Sequence, residues 1–335
     1  MAKSILGIDI GSKSIKAVEL IKGKQDFMLS SIGEILFSNP ISNVLDKSSL
    51  EEISAYLKKL LSDIKVKNKK AVCSIPSSDT IVSIVNMPMM TNQELDYAMK
   101  WQLGKIVPGY PIDRNAFWDI LSAGKDYKLL VVGVEKLKLA KYMDIFNKSG
   151  LKLASLEIDA VPLSRVAVTN NESALIIHLG AIQTVCVLVE GGIISLIRYI
   201  KVGEDNLISL LMKNGKTYNE AKSNLYEFGL LKFESRGNVY QKISPSIDQI
   251  TGEAKRMIGF FEEKNGKELK KVILSGGGSY IPEMANHYIQ EFSKDVSIID
   301  PWTRIKCPKT IDSQKLVSVG PKFAIACGLA MSDLK

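Results

Sequence analysis

Apolar residues along this chain fall into short β-branched runs and longer stretches of helical period, and one arrangement of them occurs twice. Ile5-Leu-Gly-Ile-Asp9-Ile-Gly11-Ser-Lys-Ser-Ile-Lys-Ala-Val-Glu-Leu20 returns as Ala174-Leu-Ile-Ile-His178-Leu-Gly180-Ala-Ile-Gln-Thr-Val-Cys-Val-Leu-Val189. In each copy an apolar strand ends at a polar residue, an apolar residue and a glycine. A short polar turn and a second strand follow. Two such hairpins predict a duplicated α/β fold with a cleft between its halves.

The rest of the pattern fills in both halves. Residues 5–10, 15–21 and 27–36 read as a three-stranded meander. Ser48-Ser-Leu-Glu51 has the form of a capping box, and Leu50, Ile53, Leu57, Leu60, Leu61 and Ile64 follow at helical spacing. Lys70–Ile75 is a buried strand stopped by Pro76, which completes the opening of a ribonuclease-H-like unit. A strand at Thr80–Met87 ends at Pro88, where the texture changes. A helix capped by Thr91-Asn-Gln-Glu94, strands near 117–121 and 127–134, and a helix over 136–148 predict an inserted α/β subdomain at 88–154. The first lobe is then 1–87 plus 155–172. The second lobe is 173–205 plus 267–335, and helices near 204–213, 217–228 and 245–264 make 206–266 a helical insertion. Lys271–Leu274 is a buried strand running into Gly276-Gly277-Gly278-Ser279. A helix is expected from about Tyr280, and a last one over Lys322–Met331.

Composition narrows the function classes. The 335 residues are 24% charged and 46% apolar, as in an ordinary globular protein of more than one domain. The net charge of +8 comes from 44 basic and 36 acidic residues. Its clusters at Lys65–Lys70 and Lys264–Lys271 sit where helices hand over to strands. They lack interleaved aromatics, so nucleic acid is not an expected partner. The four cysteines form no CxxC pair and read as free thiols in a reducing cytoplasm. No apolar run reaches the roughly 18–20 residues that span a bilayer, and the N-terminus lacks a signal-peptide core. A soluble protein is expected.

The candidate chemistry lies in the glycine turns. Gly11, Ser12, Lys13 and Ser14, with Lys16 on the next strand, form one candidate phosphate cradle. Asp9 ends the strand with its carboxylate at the mouth of that turn, where it could hold a hydrated magnesium ion bound to phosphates. The second hairpin offers Gly180, Ala181, Gln183 and Thr184, followed by Gly203. Gly276, Gly277, Gly278 and Ser279 permit close approach of an adenine ring or phosphate to a helix start. Each feature alone is also an ordinary tight hairpin or glycine loop. The three in this order are the specific signal.

With these features, several segments carry a resemblance over essentially the whole chain: Ala98-Met-Lys-Trp101, Ile106-Val-Pro108, Glu157-Ile-Asp-Ala-Val-Pro-Leu-Ser-Arg165, Val296–Ile305 and Phe323–Ala330. The chain resembles the PilM family of type IV pilus assembly proteins, relatives of FtsA within the actin-like ATPase superfamily. That resemblance implies a duplicated actin-like, ribonuclease-H-like α/β fold, two lobes around a nucleotide cleft with an FtsA/PilM-type insert. It implies a cytoplasmic adaptor, peripheral to the inner face of the cytoplasmic membrane, that binds ATP and Mg²⁺ between its lobes. The implied partner is the N-terminal peptide of a PilN-like inner-membrane protein, held between the first lobe and the insert. Other platform components and motor ATPases are further implied partners, and membrane contact would be indirect. By the same resemblance Asp9 is the metal-binding and catalytic carboxylate. Asp159 aligns with the residue that orients attacking water, with helix capping as its alternative role. Glu220, or Lys222 and Leu225 in another register, would lie around the adenosine.

The resemblance breaks in places. His178 stands where the family has aspartate, either removing an anion from the metal site or serving as a hydrogen-bonded strand end. Glu204 replaces the second glycine of a Gly-Gly pair, where it either repels phosphates or points away and caps its helix. The expectation is an ATP-binding protein with weak or absent hydrolysis. An actin-like ATPase or sugar-kinase-type enzyme, and a scaffold that has lost nucleotide binding, are the alternatives.

Overall fold

The computed structural model describes residues 4–24, 26–38, 47–169, 171–212, 215–232, 238–308 and 311–332. Its first lobe is a sheet of β1 (Ser4–Ile10), β2 (Ser14–Lys22), β3 (Phe27–Leu36), β4 (Lys70–Ile75) and β8 (Lys152–Ile158), with helix α1 (Lys47–Asp63) between β3 and β4. The strand order is β3-β2-β1-β4-β8. The first three strands are antiparallel, and β4 and β8 then add in parallel. The apolar faces of Ile5, Leu6, Ile8, Ile15, Val18 and Leu20 are almost wholly removed from water.

The second lobe repeats this plan. Its strands β9 (Ala174–Leu179), β10 (Thr184–Glu190), β11 (Ile193–Ile200), β12 (Lys271–Ser275) and β13 (Asp295–Ile298) run β11-β10-β9-β12-β13. The directions match the first lobe strand for strand. Helices α5 (Glu204–Met212), α6 (Tyr218–Phe228) and α7 (Val239–Asn265) lie between β11 and β12. Their apolar stripes, including Leu207, Ile208, Leu225, Ile243, Ile250 and Phe261, share a core with the inner face of this sheet.

The insert is a three-stranded sheet, β5 (Ile81–Pro88), β7 (Asp126–Glu135) and β6 (Arg114–Ala123), in the order β5-β7-β6. Helix α2 (Asn92–Ile106) packs on it through Leu95, Met99 and Leu103, and begins with the capping box of Thr91 and Glu94. Helix α3 (Lys136–Lys148) leads back to β8. The structure corrects the expected boundary here. Pro88 reads as the end of a first-lobe strand, but β5 pairs with β7 along its length, so the small sheet reaches back to Ile81. A two-residue strand, β14 (Ile305–Lys306), pairs with β3, so a segment assigned to the second lobe completes the first-lobe sheet.

Helices α4 (Ala160–Ala167) and α9 (Ser313–Ala330) pass between the lobes and pack on each other. A β-carbon on Gly328 would lie 2.1 Å from the Pro162 carbonyl oxygen, and one on Gly7 of β1 would lie 2.2 Å from that of Ala326. These glycines set how closely the helices and the sheet approach. The remaining helix, α8 (Met284–Phe292), starts later than its expected position near Tyr280, because a 3-10 turn over Gly277–Tyr280 follows the glycine loop first.

Candidate functional site

Both hairpins end in tight turns closed by the same bond. Gly11 N–H donates to the Ser14 carbonyl (3.0 Å), and Gly180 N–H donates to that of Gln183 (2.9 Å). The glycine loop folds against the second hairpin. Ser275 is in register with His178, and a β-carbon on Gly276 would fall 2.3 Å from the Leu179 carbonyl oxygen. Gly203 packs as tightly on residues 181–183, where a β-carbon would meet the Gln183 nitrogen at 2.5 Å. Gly276 and its neighbours are thus held by backbone contact from the hairpin turn. Thr184 Oγ1 donates to the Val202 carbonyl (2.7 Å), and Ser279 Oγ to that of Gly276 (2.7 Å), so both buried hydroxyls brace the backbone.

The first hairpin faces this assembly. Asp9 accepts a hydrogen bond from Ser74 Oγ (2.9 Å). Burial raises its pKa, although Lys16 and the Ser74 hydroxyl oppose the rise. Lys16 Nζ donates to Ser14 Oγ (2.8 Å) and pairs with Glu34 (3.6 Å). Asp159 follows β8, accepts a short hydrogen bond from Ser77 Oγ and makes no side-chain cap. Burial pushes its pKa up to about 6, against the Ser77 bonds and with a smaller push from Asp9. His178 meets Ser275 Oγ through Nδ1 (3.0 Å). Burial, helped by the Lys16 ammonium, lowers its pKa to about 4, so the ring is neutral at physiological pH. It is a hydrogen-bonded strand end that brings no charge to the cleft.

Lys13 crosses to the second lobe. Its ammonium makes close contacts with Asp205 and with the Tyr218 hydroxyl, and lies 4.0 Å from Glu204 Oε1. Burial works against this ammonium, but the Asp205 and Tyr218 bonds outweigh it and its pKa is raised. Glu204 is buried, points toward Gly277 and pairs with Lys222 (3.6 Å). The expected alternative, in which Glu204 turns away to cap α5, is not what the structure has. Gly203 N–H instead donates to Asn206 Oδ1 (2.9 Å), and the N–H groups of Glu204 and Asp205 bond the carbonyls of Gly180 and Ala181. Glu220 is likewise corrected. It forms the capping box of α6 with Thr217, and the charged α6 side chain paired with Glu204, within the second lobe, is Lys222.

The structure therefore brings Asp9, Lys13, Lys16, Asp159, His178, Gly203 and the glycine loop into one cleft, and leaves Glu220 outside it. Asp205, Tyr218, Tyr226, Ser74, Ser77 and Ser275 join them without having been read from sequence. The two tyrosines carried a signal, since positions 218 and 226 fall on one face of a helix. The donor set suits a magnesium ion that keeps most of its ligands from water and phosphate. Among the described residues no cluster of three or more His, Cys, Asp or Glu could hold a metal unaided. The loop glycines are packed on by the protein itself, Gly276 and Gly278 against Leu179 and Gly277 beneath Glu204, and Glu204 and Asp205 oppose an anion there.

A groove of about 1110 Å³ lies between β8, the start of α4 and the insert. Phe117, Trp118 and Asp119 of β6 line one wall, and Leu153, Leu156, Glu157 and Val161 another. Glu157 pairs with Arg165 (3.0 Å), and β6 and β8 are edge strands of their sheets. A smaller gap of about 350 Å³ separates Val82 and Ile84 of β5 from residues 195–199 of β11, so the insert meets both lobes.

Two sheets of the same order, hinged by α4 and α9 around paired hairpins, define the actin-like fold. Solved structures agree. EutJ, an ethanolamine utilization protein of Carboxydothermus hydrogenoformans, aligns with a TM-score of 0.60 at 14% identity, over 99% of this chain and 90% of that one. MreB5 of Spiroplasma citri bound to AMPPNP aligns at 0.53 and 12%, over 98% and 95%. A PilM–PilN type IV pilus biogenesis complex aligns at 0.84 and 21%, over 98% and 97%. The sequence profile of the type IV pilus assembly protein PilM matches residues 7–334, and the chain belongs to that family.

Proposed function

We propose that this protein is an adaptor of the type IV pilus inner-membrane platform. It takes the N-terminal cytoplasmic peptide of a PilN-like membrane protein in the groove between β8 and the insert, and Mg-ATP in the cleft between the lobes. The observation that carries this reading is the 1110 Å³ groove flanked by edge strands β6 and β8. An extended peptide gains main-chain hydrogen bonds from such an edge, and apolar walls select alternate side chains. The solved relative is a complex of PilM with PilN, which supports the choice of partner. No helix among the described residues is long and apolar enough to cross a membrane, so the membrane-anchored partner would supply that attachment.

In the cleft, Asp9 would hold magnesium, the turns at 11–14 and 180–184 with Gly276–Gly278 would face the phosphates, and magnesium would neutralise part of their charge. Asp159, beside Asp9, would orient a water. The neutral His178 leaves that site one anion short, which supports binding with weak or absent hydrolysis. Groove and cleft share an element: Ile158 and Val161 line the groove, and Asp159 between them belongs to the cleft. Lobe closure would thus reshape the groove by population shift.

Titration of the partner peptide against wild type and Phe117→Ala tests the groove. Loss of an aromatic wall is expected to weaken binding about tenfold or more. Unchanged affinity in this variant and in Leu156→Ala would refute the location.

A further inference from the structure

The phosphate end of the cleft contains an arrangement that a nucleotide site does not need. Glu204 and Asp205 open α5 and lie among Lys13 of the first lobe and Tyr218, Lys222 and Tyr226 of the second. Asp205 accepts from the Tyr218 hydroxyl (3.3 Å) and contacts the Lys13 ammonium. Glu204 Oε1 is buried without a hydrogen-bond partner, held by ammonium groups at 3.6 and 4.0 Å. Glu204 Oε2 lies 3.1 Å from where a β-carbon on Gly277 would be, over the glycine loop. Two carboxylates and two ammonium groups thus balance one another where the cradle would otherwise attract an anion.

We propose that Glu204 and Asp205 act as an internal anion that fills the phosphate end of the cleft and, through Lys13, latches the lobes together until a nucleotide displaces it. This rests on the nucleotide reading of the cleft. A carboxylate left in place would face incoming phosphates as a like charge, which costs binding directly. The Lys13–Asp205 contact is the connection that has to open, because its members come from different lobes. Lys13 and Glu204 are largely withdrawn from water, so solvent screens them less than an exposed pair. Nucleotide entry is then an exchange, in which phosphates take Lys13 from Asp205. The cleft is closed without nucleotide and reorganised by it.

The test measures Mg-ATP affinity by calorimetry and, on nucleotide-free protein, amide hydrogen exchange at residues 11–14 and 217–226. Asp205→Asn and Glu204→Gln keep side-chain shape and remove charge. Each is expected to bind Mg-ATP about tenfold more tightly. Nucleotide-free Asp205→Asn should exchange about tenfold faster at residues 11–14, and the swap Lys13→Asp with Asp205→Lys should restore wild-type exchange. Exchange in Asp205→Asn equal to wild type would overturn the latch. Faster exchange in Asp205→Asn, restored by the swap, with no variant binding Mg-ATP, would uphold the latch and refute the nucleotide reading of the cleft.

Discussion

In the proposed nucleotide site, His178 is the residue that limits hydrolysis. Burial keeps it neutral beside Lys16, so a metal held at Asp9 would lack the second negative charge that an aspartate would supply. His178→Asp is expected to tighten Mg-ATP binding about tenfold or to raise turnover from a low wild-type rate, as measured by calorimetry and phosphate release. Robust turnover by wild type would contradict this. Asp159 and His178 add opposing contributions to the pH dependence of stability. Asp159, pushed up to about 6 from 3.8, holds a proton that the unfolded chain releases, so its contribution falls as pH rises through that window. His178, lowered to about 4 from 6.5, stays unprotonated where the unfolded chain is charged, so its contribution rises with pH over its window. The two slopes oppose each other. Asp159→Asn removes the first, and its thermal midpoint should then fall several degrees further than that of wild type between pH 6.5 and 4.5. A parallel pH profile would contradict the assignment. Asp9 and Gly276 were legible because few residues suit the end of a strand at a glycine turn. Asp205 and Tyr218 were not, because an acid in a first helical turn and a tyrosine on a helix have commoner roles.

At the scale of elements, the strands and most helix starts were legible, and two of the three starts that differ lie at prolines. The expected helices start at Pro245 and just after Pro321, and a proline at a helix start costs no hydrogen bond. Yet α7 begins at Val239 and α9 at Ser313, and both run through their prolines. In α9 the Pro321 carbonyl accepts Gly276 N–H (3.0 Å), so this helix also holds the glycine loop in place. Tertiary packing supports these extra turns, and no local pattern records it. The approach of α9 to β1 gives a direct test. Gly7→Ala places a methyl group against backbone atoms of Ala326 and Ala330, and should cost roughly 2–3 kcal/mol or more in chemical denaturation. Gly259→Ala, on the exposed side of α7 with nothing within 4 Å, should be neutral or stabilise by about 0.5–1 kcal/mol. Similar losses in both variants would show that close helix–sheet approach is not what Gly7 provides.

For the whole molecule, the duplicated sheets follow from the repeated hairpin, because one strand-turn-strand pattern, a helix and further strands allow few topologies. The insert boundary did not follow, since a β-branched run such as Ile81–Pro88 fits either sheet equally well. Nor did the groove, whose apolar walls look like core until two strand edges are placed beside each other. The proposed coupling to the cleft rests on Asp159, at the junction of β8 and α4, both of which line the groove, and on the insert's contact with β11. The most direct measurement is a titration of the N-terminal peptide of a PilN-like partner into the protein with and without Mg-ATP. The account predicts that saturating nucleotide shifts peptide affinity about five-fold or more, and that peptide shifts nucleotide affinity by the same factor. Peptide binding of the same strength in both conditions, with nucleotide shown to be bound, would contradict it.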